Sequence, residues 1–224
     1  MIRVEGLHKT YVSGDTRVHA LRGLSVDVAD GEFVAIAGPS GSGKSTLLNI
    51  LGCLDRPDEG SVTVDGTDMT ALSDRGRADF RRHHLGFVFQ SFNLIPVLSA
   101  YENVAFALNL LDLPVPEVRE RTLALLAEVG LEGMEDRRPG RLSGGQQQRV
   151  AVARALVKRP TIVLADEPTA NLDSETGRAI LETMRRLNEG HGTTFVFSTH
   201  DPMVMEHSRR IIRLQDGSIE GATA

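Results

Sequence analysis

Apolar and polar positions alternate in short segments over the first part of the chain: IRVEGL at 2–7, LRGLSVDV at 21–28 and, further on, VTVDG at 62–66 with its Asp-Gly turn signal. A period of two predicts half-buried strands. EFVAIAG at 32–38 is apolar nearly throughout and runs through glycines into KSTLLNILG, which predicts a strand, a Gly-rich loop and a helix in succession. HLGFVF at 84–89, TIVLAD at 161–166 and TTFVFSTH at 193–200 are further runs of strand length, separated by helix-like stretches such as DSETGRAILETMRRLNEG. Strands alternating with helices predict an α/β fold with a mixed, mainly parallel sheet covered on both faces and an antiparallel meander at its N-terminal end.

The texture changes between about 91 and 148. SAYENVAFALNLL opens with Ser99 and has Glu102 three residues on, the form of a capping box, and VPEVRERTLALLAEVG has Pro116 near its start and Gly130 past its end. No strand pattern is evident there. The expected organisation is one domain over 1–224: a core of 1–90 and 149–224, with a helical subdomain of about 91–148 inserted into it.

Composition narrows the classes of function. A chain of 224 residues that is 41% hydrophobic can bury a sizeable core. Lys and Arg total 25 against 30 Asp and Glu, a formal net charge of -5, where proteins that live on nucleic acid carry a basic footprint; none is expected as main partner. The single cysteine, Cys53, excludes an internal disulfide, and its apolar run LNILGCL reads as a place for a small buried side chain. MIRVEGLHKTY has no apolar leader segment, and no run approaches the roughly 18 apolar residues of a membrane span. A membrane, if involved, is expected to come with another chain.

Residues 38–45 read GPSGSGKS and fit the spacing GxxxxGK[ST], with the strand before and the helix after that a phosphate-binding loop needs. Gly38, Pro39, Ser40, Gly41, Ser42 and Gly43 would curl so that successive N–H groups face phosphate oxygens, and the helix N-terminus adds a favourable dipole. Lys44 would bridge the β- and γ-phosphates and Ser45 would place its hydroxyl on Mg²⁺, with Thr46 next in the helix. IVLADEP ends an apolar run in adjacent acids: Asp166 reads as the metal-holding carboxylate and Glu167 as the general base, although alone the pair also fits a solvated strand-to-turn transition. LSGGQ at 142–146 has two readings. Ser143 with Gln146 three residues on forms a capping-box pattern, worth on the order of 1 kcal/mol to the helix that follows. Two glycines in a first turn weaken a helix by up to about 1 kcal/mol each, so Gly144 and Gly145 point to close approach of the backbone to a ligand.

GPSGSGKST, LADEP and LSGGQ together resemble the motifs of the ATP-binding cassette (ABC) ATPases, and the resemblance covers nearly the whole chain in the family's order. It sets the chain apart from GTPases, kinases and helicases. It implies a P-loop NTPase core with an inserted helical subdomain, and ATP and Mg²⁺ as cofactors. It also implies that Tyr11 stacks on adenine, that Gln90 senses Mg²⁺ and the γ-phosphate, that Asp173 in ANLD is the D-loop aspartate, and that His200 in FSTHD contacts the γ-phosphate. The implied catalytic set is Lys44, Gln90, Glu167 and His200, with Ser45, Gln90 and Asp166 on Mg²⁺. VHALRGLS, NILGCLDRPDEG, GFVFQSFNLIPVLSAYENV and SGGQQQRVAVARAL with DEPTANLD are similar to the LolD and MacB type, although Ala170 stands where that group commonly has glycine.

On this resemblance the second glycine pair acts in trans. Ser143, Gly144, Gly145, Gln146 and Asp173 would contact ATP held by a second copy of the chain, so that two nucleotides lie between two head-to-tail chains. A MacB-type permease is the implied membrane partner, export or lipoprotein release the implied task, and the cytoplasmic face of the cell membrane the implied location. A cell-division or signalling ATPase of the FtsE kind, which moves no solute, has the same motifs. Phe92, Leu94, Ile95 and Pro96 are expected either to form an apolar groove for a permease helix or to be core of the helical subdomain. The chain ends soon after the Asp-Gly turn of RLQDGSIE, which within this family reads as a stand-alone subunit.

Overall fold

Each of the runs read above as strands becomes one. The computed structural model describes residues 1–223. In chain order its elements are β1 Ile2–Ser13, β2 Thr16–Val28, β3 Phe33–Ala37, α1 Lys44–Leu51, β4 Glu59–Val64, β5 Thr67–Asp68, α2 Asp74–His84, β6 Leu85–Phe89, α3 Ala100–Asn109, α4 Val115–Glu128, α5 Gly144–Leu156, β7 Ile162–Asp166, α6 Ser174–His191, β8 Thr194–Thr199, α7 Pro202–His207, β9 Arg210–Gln215 and β10 Ser218–Thr223. The chain forms two units. One is residues 1–81 with 194 onward; the other is 82–193, the first division falling inside α2.

In the first unit, β2, β1, β4 and β5 form the antiparallel meander in that order. Alternation is realised as burial: Ile2, Val4 and Leu7 of β1 face inward with Leu21, Leu24 and Val28 of β2 and Val62 and Val64 of β4. A second set of strands centres on β3, which lies parallel to both β8 and β9. Both β3 and β8 are buried along their whole length, as strands covered on two faces must be. Their rings make the centre of this core, with Phe33 4.6 Å from Phe197 and 5.5 Å from Phe195. The Asp-Gly turn pairs β9 with β10, and Asp216 and Gly217 both take the positive φ that a two-residue hairpin of this kind requires.

In the second unit β6 runs parallel to β7, from Leu85 opposite Ile162 to Phe89 opposite Asp166. α5 packs on β6, and α3, α4 and α6 pack on α5. The predicted caps are present. The Ser99 hydroxyl accepts from the Glu102 N–H at 3.2 Å while the Glu102 carboxylate accepts from the Ser99 N–H at 2.7 Å. α4 begins with Pro116 in its first turn and is followed by Gly130 at φ 76°. Cys53 is buried, as its apolar run indicates, and burial pushes its thiol pKa up.

Candidate functional site

The chain leaves β3 at Ala37, wraps through residues 38–43 and enters α1 at Lys44. Gly43 caps this helix in a left-handed conformation at φ 105° and, having no side chain, makes no cap bond. A side chain at Gly43 would meet the Ala20 carbonyl oxygen at 2.4 Å, so only glycine fits. The cap position of α1 therefore supplies no side-chain acceptor to the first turn, an arrangement that favours an anion there. The rear of the loop is tied down: the Ser42 N–H donates to Pro39 O at 3.2 Å, and the Ser42 carbonyl accepts from the Gly217 N–H at 3.0 Å. Its front, Pro39, Ser40, Gly41 and Ser45, is exposed. The Lys44 side chain lies back over the loop, its Nζ donating to Gly38 O and Pro39 O at 2.8 Å each. Tyr11, 40% exposed, bonds through its hydroxyl to Asp55 and to the Thr46 side chain, so its ring stands beside the first turn of α1. His200 is exposed directly after β8.

In the second unit, Asp166 is the last residue of β7 and Glu167 follows it at φ 45°. A non-glycine residue held left-handed is uncommon, and such strain gathers at functional sites. The turn is held from two sides: Gln148 of α5, fully buried, donates to Pro168 O at 2.6 Å, and Asn171 Nδ2 donates to the Gln90 carbonyl at 2.9 Å. Sequence reasoning passed over both residues, because neither Gln148 nor Asn171 shows a local signal for a partner 20 or 81 residues away.

LSGGQ forms the capping box: the Ser143 hydroxyl accepts from the Gln146 N–H at 3.3 Å, and Gln146 Oε1 accepts from the Ser143 N–H at 3.0 Å. The helix-cap reading is thus real, and it leaves the Ser143 hydroxyl proton available to a ligand. The three glutamines divide the labour. Gln146 closes the cap, Gln147 donates to Leu142 O at 3.1 Å, and Gln148 holds the turn after Glu167. One of the two glycines also has a packing reason within the chain. A Cβ on Gly145 would lie 2.4 Å from the Thr176 methyl of α6, so packing within the chain already demands glycine; on Gly144 it would meet nothing nearer than 3.5 Å. Asp173 also has a structural task that sequence reasoning did not assign. It caps α6, its carboxylate accepting from the Thr176 N–H at 2.9 Å, and these Thr176 bonds hold its pKa below the usual carboxylate value.

Past Gln90 the backbone turns sharply, with Phe92 and Asn93 both left-handed, and Arg154 of α5 clamps the turn by donating to Phe92 O at 2.8 Å and Asn93 O at 2.6 Å. Phe92, Leu94 and Ile95 are half-buried and Pro96 is exposed, so they are not core. A cleft of about 330 Å³ opens here, lined among others by Phe87, Phe89, Ile95, Phe106, Arg154 and Lys158. Of the four residues expected to form a groove, Ile95 alone lines it. Burial lowers the Lys158 pKa to about 8.

Among the described residues no group of three His, Cys, Asp or Glu could by itself hold a metal ion. Mg²⁺ carried with a nucleotide takes one or two protein oxygens and completes its shell with phosphate and water, a demand that the Ser45 hydroxyl and the Asp166 carboxylate fit in kind. No helix among the described residues is long and apolar enough to cross a membrane.

The profile of the ABC transporter family matches residues 21–170. The macrolide export ATP-binding/permease protein MacB of Syntrophobacter fumaroxidans is 50% identical over 98% of this chain, which spans 31% of that relative's length. The lipoprotein-releasing system ATP-binding protein LolD of Geobacter metallireducens is 46% identical, with 98% of this chain and 97% of the relative covered. Among solved structures, a dimeric post-hydrolysis state of the ATP-binding cassette MJ0796 of Methanocaldococcus jannaschii, bound to ADP and Pi, matches at TM-score 0.91 and 46% identity, over 100% of this chain and 98% of that one. Phosphate loop, strand-end acids and signature loop thus stand on a fold and a sequence that agree: the chain belongs to the ABC transporter family and is one of its ATP-hydrolysing cassettes.

Proposed function

We propose that two copies of this chain bind two ATP molecules between them, hydrolyse them with Mg²⁺, and drive a MacB-type permease from the cytoplasmic face of the membrane, in export or lipoprotein release. The observation that supports this most is the presence in one chain of two unlike glycine-rich helix starts: α1, without a side-chain cap, and α5, capped but with a serine hydroxyl to spare.

In this reading the backbone of residues 38–46 carries the phosphates, and Lys44 exchanges the Gly38 and Pro39 carbonyls for β- and γ-phosphate oxygens. Tyr11 stacks on the adenine. Ser45, Gln90 and Asp166 would hold Mg²⁺, which would neutralise charge developing on the phosphates. Glu167 accepts the proton of the attacking water, and His200 and Gln90 contact the γ-phosphate. Ser143, Gly144, Gly145, Gln146 and Asp173 serve the ATP held by the other copy. Glycine at 144, which nothing within the chain requires, fits that approach. The permease's helix is assigned to the cleft of Phe87, Phe89, Ile95 and Phe106, where Arg154 and Lys158 add positive charge.

The decisive experiment is Glu167→Gln with saturating ATP and Mg²⁺. Hydrolysis is expected to fall by at least about 100-fold, the contribution of a general base, while light scattering shows the variant accumulating as a dimer. A variant that stays monomeric overturns the reading.

A further inference from the structure

Tyr11 belongs to a side-chain cluster that the hydrolytic machinery does not account for. Its hydroxyl donates to Asp55 Oδ2 at 2.7 Å and also bonds the Thr46 side chain of α1. The other carboxylate oxygen of Asp55 accepts from Lys9 Nζ at 3.0 Å and from the Arg56 N–H at 2.7 Å. Lys9, its side chain 12% exposed, also donates to Arg56 O at 2.7 Å and lies 3.6 Å from Asp58. Its ammonium stands 5.2 Å from the centre of the Tyr11 ring, within cation–π range. Asp55 is itself fixed to the end of α1, its N–H donating to Asn49 O. An aromatic ring 40% exposed beside a phosphate loop would ordinarily be free to change rotamer; this one is pinned at its hydroxyl and flanked by a cation.

We propose that Asp55 and Lys9 are positioning residues for the nucleotide base: they fix the Tyr11 ring as a platform and, through Thr46, lock it to the phosphate loop. The proposal rests on the reading of Tyr11 as the ring that stacks on the base. Lys9 takes one side of the ring and the base stacks on the other. A ring already ordered loses no rotamer freedom on binding, so the cluster converts into affinity. Because every base presents a π-face, a stacking platform tightens nucleotides without choosing among them. Burial and Asp55 both push the Tyr11 phenol pKa up, which keeps its proton in place as donor.

The test is equilibrium binding of ATP, GTP and inorganic tripolyphosphate, each with Mg²⁺, to the full chain and to Lys9→Met, Asp55→Ala, Tyr11→Phe and Tyr11→Ala. The first three are expected to weaken ATP and GTP alike by about two- to tenfold, the effect of one side chain left to be ordered on binding. Tyr11→Ala is expected to cost about tenfold or more, one base stack. Tripolyphosphate, which has no base, is expected to bind all four as it binds the parent chain. If Tyr11→Ala weakens ATP but the other three bind it like the parent, the positioning proposal is overturned and the platform stands. If Tyr11→Ala binds ATP unchanged, the platform reading fails and the proposal with it. Equal losses of ATP and tripolyphosphate overturn the proposal by placing the effect on the phosphate loop. Should Asp55→Ala not fold, Tyr11→Phe decides, since it removes only the hydroxyl.

Discussion

α1 and α5 both begin in a glycine-rich turn, yet they present opposite chemistry. At α1 the cap residue is Gly43, left-handed and without a side chain, so the cap itself offers the first turn no acceptor and an anion can take that place. At α5 the cap is Ser143, and the reciprocal bonds with Gln146 satisfy the N–H groups of both residues within the chain. The first helix start is built to hold phosphate with its backbone. The second has its cap closed without a ligand and offers one hydroxyl and an unencumbered glycine. A contact that must form with ATP and break after hydrolysis is better made by the second kind, because its cap bonds stay closed whether or not a ligand is there.

The largest effect expected is at the first of these. Gly43→Ala must move its Cβ away from the Ala20 carbonyl at 2.4 Å and adopt φ 105°, a strain of roughly 1–3 kcal/mol. ATP binding is expected to be lost with it, measured by titration calorimetry alongside thermal melting. Retained ATP affinity in a destabilised protein would break the contrast, since it would show that the loop need not keep this shape to hold phosphate.

At the second start a pair of substitutions separates the cap from the ligand contact. Ser143→Ala removes the cap and is expected to lower stability by about 1 kcal/mol. Aspartate caps helices as well as serine does, so Ser143→Asp is expected to keep stability. It sets a carboxylate against the approaching γ-phosphate, however, and ATP-driven dimerisation is expected to disappear. Urea unfolding and light scattering read the two properties independently. Were Ser143→Asp to dimerise with ATP like the parent chain, the hydroxyl would have no part in the contact.

These two starts were legible in the sequence because their causes are local. A strand, a glycine loop and a lysine, or a serine with glutamine three residues on, sit within one turn of chain. The same holds for the Ser99 and Glu102 cap and for the acids that end β7. What stayed hidden depends on pairs far apart: Lys9 and Tyr11 with Asp55, Gln148 with Pro168, Arg154 with the Phe92 and Asn93 carbonyls. Each of these is an ordinary polar residue until the fold supplies its partner. α2 was hidden for another reason. DRGRADFRRHH buries only Phe80, so it has no apolar periodicity to read. The packing demand at Gly145 was hidden because the Thr176 methyl that crowds it belongs to α6, the next helix along the chain.

The smallest effect expected lies just past the other end of α5, at Lys158, and sharpens the contrast between a helix start open to a partner copy and a cleft assigned to the permease. Burial lowers the Lys158 pKa from 10.5 to about 8. Well below pH 8 the folded and unfolded chains both carry the proton, and burial makes the charge costlier in the folded state. Between pH 8 and 10.5 the folded chain has released it and the unfolded chain has not, so unfolding takes up a proton and stability rises with pH. Other groups titrate in that window, so the quantity to follow is the difference in unfolding free energy between the parent chain and Lys158→Met. That difference is expected to move in favour of the parent from pH 8 to 10.5 and to be flat from pH 6 to about 7.5. A difference flat across the whole range would mean that burial in the cleft does not disfavour the charged ammonium.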